Sequence, residues 1–489
     1  MKTKVFSFLI WIPLIANLFY KENLGLNTLI ASVVSIGLIG ALHPKSLKSA
    51  KWWIASLIVL ASGTAIFING TLLATFFYFV AFLFFFAVTN NIRLSLPLGL
   101  MQSLQTFFTG FYYYFEGIAD AIDRSNRKKS KKGLINFLLI TGTLIIIIIF
   151  LKLYQTADAT FYEYTKYINL DWISWGFIAF ALLLSLLLYG LFFYRRDPTL
   201  DGWEDTLKND IPTTYTDNIQ NFLEVKNEFK TAIVLLSVLN SMLLLYNFID
   251  THYILYEMNN PSRILTSSEM VHEGVNALIL SIVLVILLVT FLFRGQLNFT
   301  KNKTAKILAF LWLLQNLFMV SSTALKNYDY VAHWGLTYKR IGVWIWLSLS
   351  VIGLLLTMIK ILSAQSFWFL FRNASIAFTL CLTTLMCVNW ERTMASYNLT
   401  HLPAEKIDFE YLLELGPDTY PAIIRYHTET ARVDNAILLR MRERMEVVWP
   451  LLKSRVEDNS WRSMVWSDQL LYRELCNIKF NYKSSITKR

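Results

Sequence analysis

The chain has 489 residues, of which 55% are hydrophobic and only 16% are charged. A soluble protein usually carries about 25% charged residues, so this chain has too little charge to cover several soluble domains. Aromatic residues make up 15% of the chain, which excludes a disordered polypeptide. The composition therefore indicates a polytopic membrane protein, built as an all-α transmembrane helical bundle.

About eleven stretches are apolar and long enough to form spanning helices, which need roughly 20 residues each. They cover residues 5–20, 25–42, 52–69, 71–88, 134–154, 172–194, 232–253, 275–293, 307–325, 343–361 and 369–388. The sequence Asn69-Gly70 predicts a tight turn between the third and fourth spans. The basic start of the chain imitates a signal peptide, but no small-residue cleavage site follows it. We therefore interpret it as an uncleaved first span.

Loop charges predict the orientation, because Lys and Arg concentrate in cytoplasmic loops. One set of alternate loops is basic, with residues such as Lys45 and Lys360, whereas the other set carries acids such as Asp158. We therefore expect a cytoplasmic N-terminus and a C-terminal tail on the opposite side. The net charge of +11 then reflects topology, and we expect no nucleic-acid partner.

The segment 90–132, which follows the four N-terminal spans of residues 1–89, has a helical apolar pattern interrupted by Glu116, Asp120 and Asp123. This pattern predicts an amphipathic helix in the cytoplasmic interface. A basic cluster comes directly after it, formed by Arg124, Arg127, Lys128, Lys129, Lys131 and Lys132. The cluster either contacts anionic lipid headgroups, at ~1 kcal/mol per residue, or serves only as a topology signal.

After spans 5 to 11, in residues 133–389, the composition changes. Residues 390–489 contain 29 charged side chains, against 50 in all the preceding residues. Apolar positions recur there in helical steps, for example in Ile407-Asp-Phe-Glu-Tyr-Leu-Leu. We expect an extramembrane helical tail domain, which a partner protein could bind.

Several common catalytic motifs are absent from the sequence, which has no P-loop, GxGxxG, GxSxG or HExxH. The string His272-Glu273-Gly-Val-Asn276 lacks the second His that would place two zinc ligands on one helix face. We expect no metal and no cofactor, and we assign no catalytic residue.

Two groups of polar residues lie in or beside the later spans. The mid-membrane group is Asn240, Asn276, Gln315 and Asn316. It forms either hydrogen bonds between helices or the lining of a substrate or ion path. The outer-face polar cluster is Asp250, His252, His272, Glu273, His333, Lys339, Arg340, Glu391 and Arg392. It either binds a ligand or places charges where span ends reach water.

Several short motifs resemble a family of bacterial polytopic inner-membrane proteins that is catalogued as a domain of unknown function. They are Val271-His-Glu-Gly-Val-Asn-Ala-Leu-Ile, Gly335-Leu-Thr, Tyr338-Lys-Arg-Ile-Gly-Val, Asn389-Trp-Glu-Arg and Tyr397-Asn-Leu. The resemblance covers residues 232–415 approximately. It implies a bacterial inner membrane, and it supplies no activity and no catalytic residues. In such a membrane the orientation expected from the loop charges makes the tail periplasmic.

Three functions stay open at this point. The favoured one is a non-enzymatic envelope scaffold or complex subunit that presents the tail domain to a partner. A transporter or channel would use a polar path through spans 7 to 9. An enzyme would act on a lipid-linked substrate at the outer face, where we expect His272, Glu273 and Arg340 to lie near one another.

Overall fold

A computed structural model describes residues 2–127, 153–165, 174–194, 197–211, 219–257, 267–299 and 303–486, together with positions 143, 147, 150 and 151. The side chains of residues 2, 118–127, 159, 175, 219–226, 257, 267–276, 296 and 479–486 lie outside this description. Helices dominate the described ranges, which contain no strand; one isolated bridge joins Asp210 and Gln365.

The first half of the bundle contains eight described helices. They are α1 (Lys2–Phe19), α2 (Leu26–Leu42), α3 (Ala50–Asn69), α4 (Leu72–Asn90), α5 (Leu96–Arg127), α6 (Ala159–Thr165), α7 (Trp175–Phe192) and α8 (Pro198–Thr206). Gly70 ends α3 in a left-handed conformation, with φ +60°, and the Thr71 side chain caps the start of α4. The predicted hairpin between the third and fourth spans therefore has a local chemical cause.

The second half contains α9 (Ile219–His252), α10 (Ser267–Leu292), α11 (Thr304–Trp334), α12 (Tyr338–Leu362) and α13 (Phe367–Met386). The tail follows with α14 (Trp390–His401), α15 (Phe409–Glu414), α16 (Tyr420–Thr430), α17 (Asn435–Glu457) and α18 (Trp466–Ile486). Short 3-10 turns lie in three of the connections between the tail helices, including Trp461–Ser463 between α17 and α18. The helical tail domain thus has the predicted secondary structure.

Six described helices are long and apolar enough to cross a membrane: Ala50–Asn69, Leu72–Asn90, Asn227–Tyr256, Thr304–Trp334, Tyr338–Leu362 and Phe367–Met386. Four shorter apolar helices also coincide with predicted spans: Thr3–Phe19, Leu26–Leu42, Gly176–Phe192 and Ala277–Leu292. The predicted span 134–154 lies mostly outside the described residues. The helical membrane bundle is confirmed, and the count of eleven stays a prediction.

The bundle has two apolar cores. The core of the first half is centred on α1 to α4 and α7 and contains the fully buried Trp11, Trp52 and Phe85. The core of the second half is formed by α9 to α12 and contains Leu313 and Leu354. Helix α13 contacts α3 and α4 on one side and α12 on the other, so it joins the two halves.

Helix α5 packs side by side with α7 in the opposite direction. Gly110 faces Gly190 so closely that a Cβ on Gly110 would meet the Gly190 Cα at 2.6 Å, and Tyr114 hydrogen-bonds to Ser185 at 3.1 Å. The exposed side of α5 is apolar and includes Phe108. The interfacial position of this segment stays a prediction, and the side chains of the basic cluster 124–132 lie outside the described residues.

Candidate functional site

Asp250 is a buried acid near the end of α9, with only 7% of its surface exposed. Its carboxylate accepts hydrogen bonds from Ser322 Oγ and Lys326 Nζ on α11. The Lys326 ammonium also lies 5.0 Å from the centre of the Tyr253 ring. These contacts compensate a charge that would be costly alone in an apolar bundle, and they bind α9 to α11.

Amide side chains continue this polar contact along α9 and α11. Gln315 Nε2 donates to Asn240 Oδ1 at 3.1 Å, and Asn247 Nδ2 donates to the carbonyl oxygen of Gln315 at 3.1 Å. Asn240 Nδ2 also donates to the carbonyl oxygen of Leu308 at 3.0 Å. From the Asn240–Leu308 contact to the Asn247–Gln315 contact each helix advances by seven residues, which is the repeat of parallel helices in left-handed packing. The amides therefore hydrogen-bond one helix to the other.

The surroundings of Gln315 are open at the side of the bundle. A cavity of about 390 Å³ is lined by Gln315, Asn247 and Phe248, and Phe248 is 72% exposed. Asn316 is buried and donates to a carbonyl of its own helix at 2.7 Å. The side chain of Asn276 lies outside the described residues. The part of the chain that the structure describes therefore encloses no polar path at Gln315.

Arg340 is nearly buried at the start of α12, with 9% of its surface exposed. Its guanidinium lies 4.2 Å from the centre of the Tyr330 ring. Its NH1 group donates to the carbonyl oxygen of Trp334 at 2.6 Å and to that of Gly335. Arg340 therefore holds the turn between α11 and α12, because it binds carbonyls that the end of α11 leaves without helical partners.

This turn is also bound to the tail domain. Asn398 on α14 accepts from the backbone N–H of Leu336 at 2.5 Å and donates to the Leu336 carbonyl oxygen at 3.0 Å. The Tyr411 hydroxyl on α15 accepts from the backbone N–H of Tyr338 at 3.0 Å. Burial raises the pKa of the Tyr411 phenol, so the hydroxyl stays protonated. Gly335 has φ +78°, a conformation that favours glycine.

Arg392 and Glu391 of the predicted cluster belong to the tail side of this junction. Glu391 accepts a hydrogen bond from the Tyr338 hydroxyl on α12. The Arg392 guanidinium lies 3.3 Å from Asp418 and 3.1 Å from Glu474, so it joins three segments of the tail. A cleft of about 290 Å³ lies beside these three charged groups.

Two histidines of the predicted cluster have partners within one turn of chain. The His252 ring lies 4.9 Å from the Tyr256 ring, and His333 Nδ1 lies 3.3 Å from a carboxylate oxygen of Asp329. Lys339 is exposed. Asp250 is held by Ser322 and Lys326 rather than by another member of the predicted cluster.

The side chains of His272 and Glu273 lie outside the described residues. Their expected closeness to Arg340 therefore stays a prediction. Within the described part of the chain, no three His, Cys, Asp or Glu side chains are grouped so that they could hold a metal ion. The described polar side chains form structural contacts of two kinds. Some join α9 to α11, and others join the bundle to the tail.

A second attachment joins the tail to the first half of the bundle. Arg462 NH2 lies 2.6 Å from a carboxylate oxygen of Glu22, and Ser463 Oγ donates to the other Glu22 oxygen at 2.5 Å. The backbone N–H of Leu26 donates to the carbonyl oxygen of Met464 at 2.9 Å. Sequence reasoning missed this attachment, because neither segment carries a recognisable motif.

The junction residues Asn398 and Gly335 were also absent from the predicted site, although both stand in the motifs that carried the family resemblance. The structure brings these distant motifs, Gly335-Leu-Thr, Tyr338-Lys-Arg, Asn389-Trp-Glu-Arg and Tyr397-Asn-Leu, to one place between bundle and tail. The signal that could have identified the junction was therefore the motif positions rather than the charges alone.

Comparison with known protein families identifies the family of this chain. The model of a family described as a domain of unknown function, DUF4153, matches residues 54–426. The matched region includes the α11–α12 turn and its partners on α14 and α15, whereas the attachment at Arg462 lies beyond it. No curated protein and no solved structure matches the chain.

Proposed function

The chain belongs to this family of unknown function, and we propose that it is a non-enzymatic membrane scaffold that presents its tail domain to a partner protein. The chain is a multi-pass membrane protein with several helices apolar enough to span. The proposal extends this to a bacterial inner membrane, with the N-terminus in the cytoplasm and the tail in the periplasm. The transmembrane bundle anchors and orients the tail domain, and the tail domain provides the surface that the partner contacts.

The double attachment of the tail is the observation that carries the proposal. Asn398 binds the tail to the second half of the bundle, through two hydrogen bonds to Leu336. Arg462 and Ser463 bind it to the first half, through Glu22. Two attachments on different halves oppose rotation of the tail, and a domain held in one orientation loses less entropy when a partner binds.

Helix α17 offers the contact surface. Val447 and Leu451 are neighbours one turn apart on α17 and are 68% and 62% exposed; Leu439, 58% exposed, lies two turns earlier in the same row, with the exposed Glu443 between it and Val447. Such rows form the ridges that pack into grooves of another helix. Large exposed apolar side chains grouped on an extramembrane domain are typical of a protein contact. The partner would therefore present an apolar helical groove.

Transport and lipid-linked enzyme chemistry have less support among the described residues. The amides of α9 and α11 hydrogen-bond to each other, and the cavity at Gln315 opens to the side. Arg340 is engaged by backbone carbonyls of its own turn. Both groups act as structural contacts, which suits a scaffold.

Purification from native membranes tests the proposal. The wild type is compared with Val447→Ser/Leu451→Ser and with a matched control, Arg442→Ser/Lys453→Ser, which changes two exposed residues on the same helix. We expect a companion protein at fixed stoichiometry with the wild type and the control. The Val447→Ser/Leu451→Ser variant should bind it roughly thirtyfold more weakly, because two central apolar contacts each contribute about 1 kcal/mol.

The unfolding temperature shows whether each variant stays folded. Since the substituted residues of both variants are exposed, the wild type and the two variants should unfold at closely similar temperatures. A wild type without a companion would refute the scaffold function, as would equal retention by both variants. Uptake of a solute by proteoliposomes that is lost on substitution of Gln315 would support the transporter instead.

A further inference from the structure

A groove runs between α3 and α13, at the start of both helices. Its cavity has a volume of about 330 Å³, which falls in the range of small-ligand sites. The apolar residues of its wall are Ile54, Ile58, Phe84, Val88, Leu94, Leu96, Ile376 and Leu380. At the opposite ends of the same two helices, Asn69 Nδ2 donates to the carbonyl oxygen of Met386 at 3.1 Å, so the helices meet there.

The groove is open to the side of the bundle. Ile54 is 51% exposed, Ile376 is 49% exposed and Leu380 is 53% exposed. All three lie on helices long and apolar enough to span the membrane. Their exposed surfaces therefore face the hydrocarbon of the bilayer, and an occupant of the groove must be apolar along this wall.

The end of the groove that lies at the start of α3 is basic. Lys51, the second residue of α3, is exposed, and its Nζ lies 3.4 Å from the carbonyl oxygen of Ile92. Arg372 on α13 binds Glu204 and donates to Asn209 at 2.6 Å. The Nε of Arg372 is buried, and the described residues provide no acceptor for it.

We propose that this groove binds one phospholipid with an anionic headgroup. The phosphate lies against the exposed Lys51 ammonium, at the end of the groove that the Arg372 side chain also lines. One acyl chain follows the wall from Ile54 and Ile376 toward Leu380. The eight residues from Arg372 to Leu380 extend the wall by about 12 Å along α13, enough for much of one leaflet of a roughly 30 Å hydrocarbon core.

The position of the two basic groups matches that of a headgroup. Lys51 stands at the first turn of a span, where a lysine meets the membrane surface. The negative charge of Glu204 does not neutralise Lys51, because Glu204 forms an ion pair with Arg372 and accepts hydrogen bonds from the Ser95 hydroxyl and backbone N–H. Lys51 therefore keeps its charge for the ligand. This lipid would fill the space between the starts of α3 and α13 and so join the two halves of the bundle.

The test uses the full-length protein in an uncharged detergent, with dioleoyl phosphatidylglycerol, dioleoyl phosphatidylcholine or inorganic phosphate added. Native mass spectrometry counts the lipids retained, and intrinsic fluorescence gives the unfolding temperature. We expect one phosphatidylglycerol to be retained in preference to phosphatidylcholine and to raise the unfolding temperature. Inorganic phosphate should change neither, because it cannot fill the apolar wall.

Three variants locate the site. Lys51→Gln should weaken phosphatidylglycerol retention about fivefold, the effect of one basic residue at a membrane surface. Lys48→Gln removes the same charge from an exposed position outside the groove and should retain the lipid as the wild type does. Ile376→Trp fills the groove but keeps the basic Lys51 in place. This variant should lower the retention of both lipids.

The outcomes separate the proposal from its alternatives. Equal retention of the two lipids, or equal losses in Lys51→Gln and Lys48→Gln, would refute a specific headgroup site. A response to inorganic phosphate equal to that of the lipid would show a free-anion site instead. Lys51 is exposed, so its variant should unfold near the wild-type temperature without lipid, which keeps the comparison valid.

Discussion

Substitution of Gly335 by alanine should detach the tail domain from the second half of the bundle. Gly335 has φ +78° and ψ −177°, a conformation that is essentially restricted to glycine. A Cβ at this position would meet the Asn398 Oδ1 at 2.5 Å and the Leu402 Cδ1 at 2.8 Å. The added methyl group thus strains the turn and displaces the amide that binds Leu336.

The cost follows from these two effects. A non-glycine residue in this conformation costs about 1–3 kcal/mol. Displacing Asn398 breaks two hydrogen bonds to Leu336, each worth about 1 kcal/mol. Since Leu336 is partly exposed and water can replace part of the loss, we expect a destabilisation of about 2–4 kcal/mol. It should be localised at the junction rather than spread through the bundle.

Hydrogen exchange measures this loss locally, because it reports the opening of α14 separately from that of the spans. Two control substitutions by alanine separate the effect of backbone strain from the effect of displacing Asn398. Gly342→Ala places a Cβ in open space within α12, and Gly416→Ala places one at φ +116° without any close neighbour. Gly416→Ala should show the strain alone, and Gly342→Ala should show neither effect. If exchange in Gly335→Ala were no faster than in Gly416→Ala, the contact with Asn398 would not hold the tail.

Three further predictions concern other parts of the chain. Asp250→Asn should destabilise the protein by up to about 3 kcal/mol, because it leaves the Lys326 ammonium without its carboxylate; adding Lys326→Met should restore most of the loss in thermal unfolding. Gly110→Val should separate α5 from α7 and cost about 1–3 kcal/mol, because the added atoms collide with Gly190. Burial lowers the pKa of His43 from 6.5 to about 4, so the unfolded chain binds more protons between these values. Stability should therefore fall as the pH falls through this window, and His43→Gln should flatten the dependence.

Each of these predictions has a result that contradicts it. For the ion pair, equal losses in the single and double variants would show that Asp250 acts without Lys326. For the helix contact, the control is Gly99→Ala, whose Cβ would stand 3.6 Å from the Ala87 Cβ, an ordinary contact distance; equal losses in both variants would argue against close α5–α7 packing. For His43, an unchanged slope of stability against pH in the variant would assign the dependence to other groups.

Much of the fold could be predicted from the sequence, because membrane spans are local. Hydrocarbon requires each span to satisfy its own backbone hydrogen bonds, so a run of about 20 apolar residues predicts a helix without knowledge of its neighbours. Ten of the eleven predicted spans coincide with described apolar helices, and the Gly70 turn stands where expected. The helical tail followed from the same local periodicity.

The candidate site was less predictable, because the partner of each polar residue lies far away in the sequence. Lys360 was expected to be a basic residue of a cytoplasmic loop. The structure places it in the last turn of α12, where it is fully buried in the described bundle and donates to the carbonyl oxygen of Phe293 at 2.9 Å; its side of the membrane stays a prediction. Its local sequence resembles any span end, and only the packing of α10 on α12 shows the difference.

The sequence by itself determined that this chain is a helical membrane protein with a charged helical tail, because apolar run length and periodicity act within single helices. Tertiary structure decided how the charges are used. Asp250 binds Lys326 across 76 positions, Leu336 binds Asn398 across 62, and Glu22 binds Ser463 across 441. Such pairs depend on which helices become neighbours, and that choice is made by packing over the whole bundle.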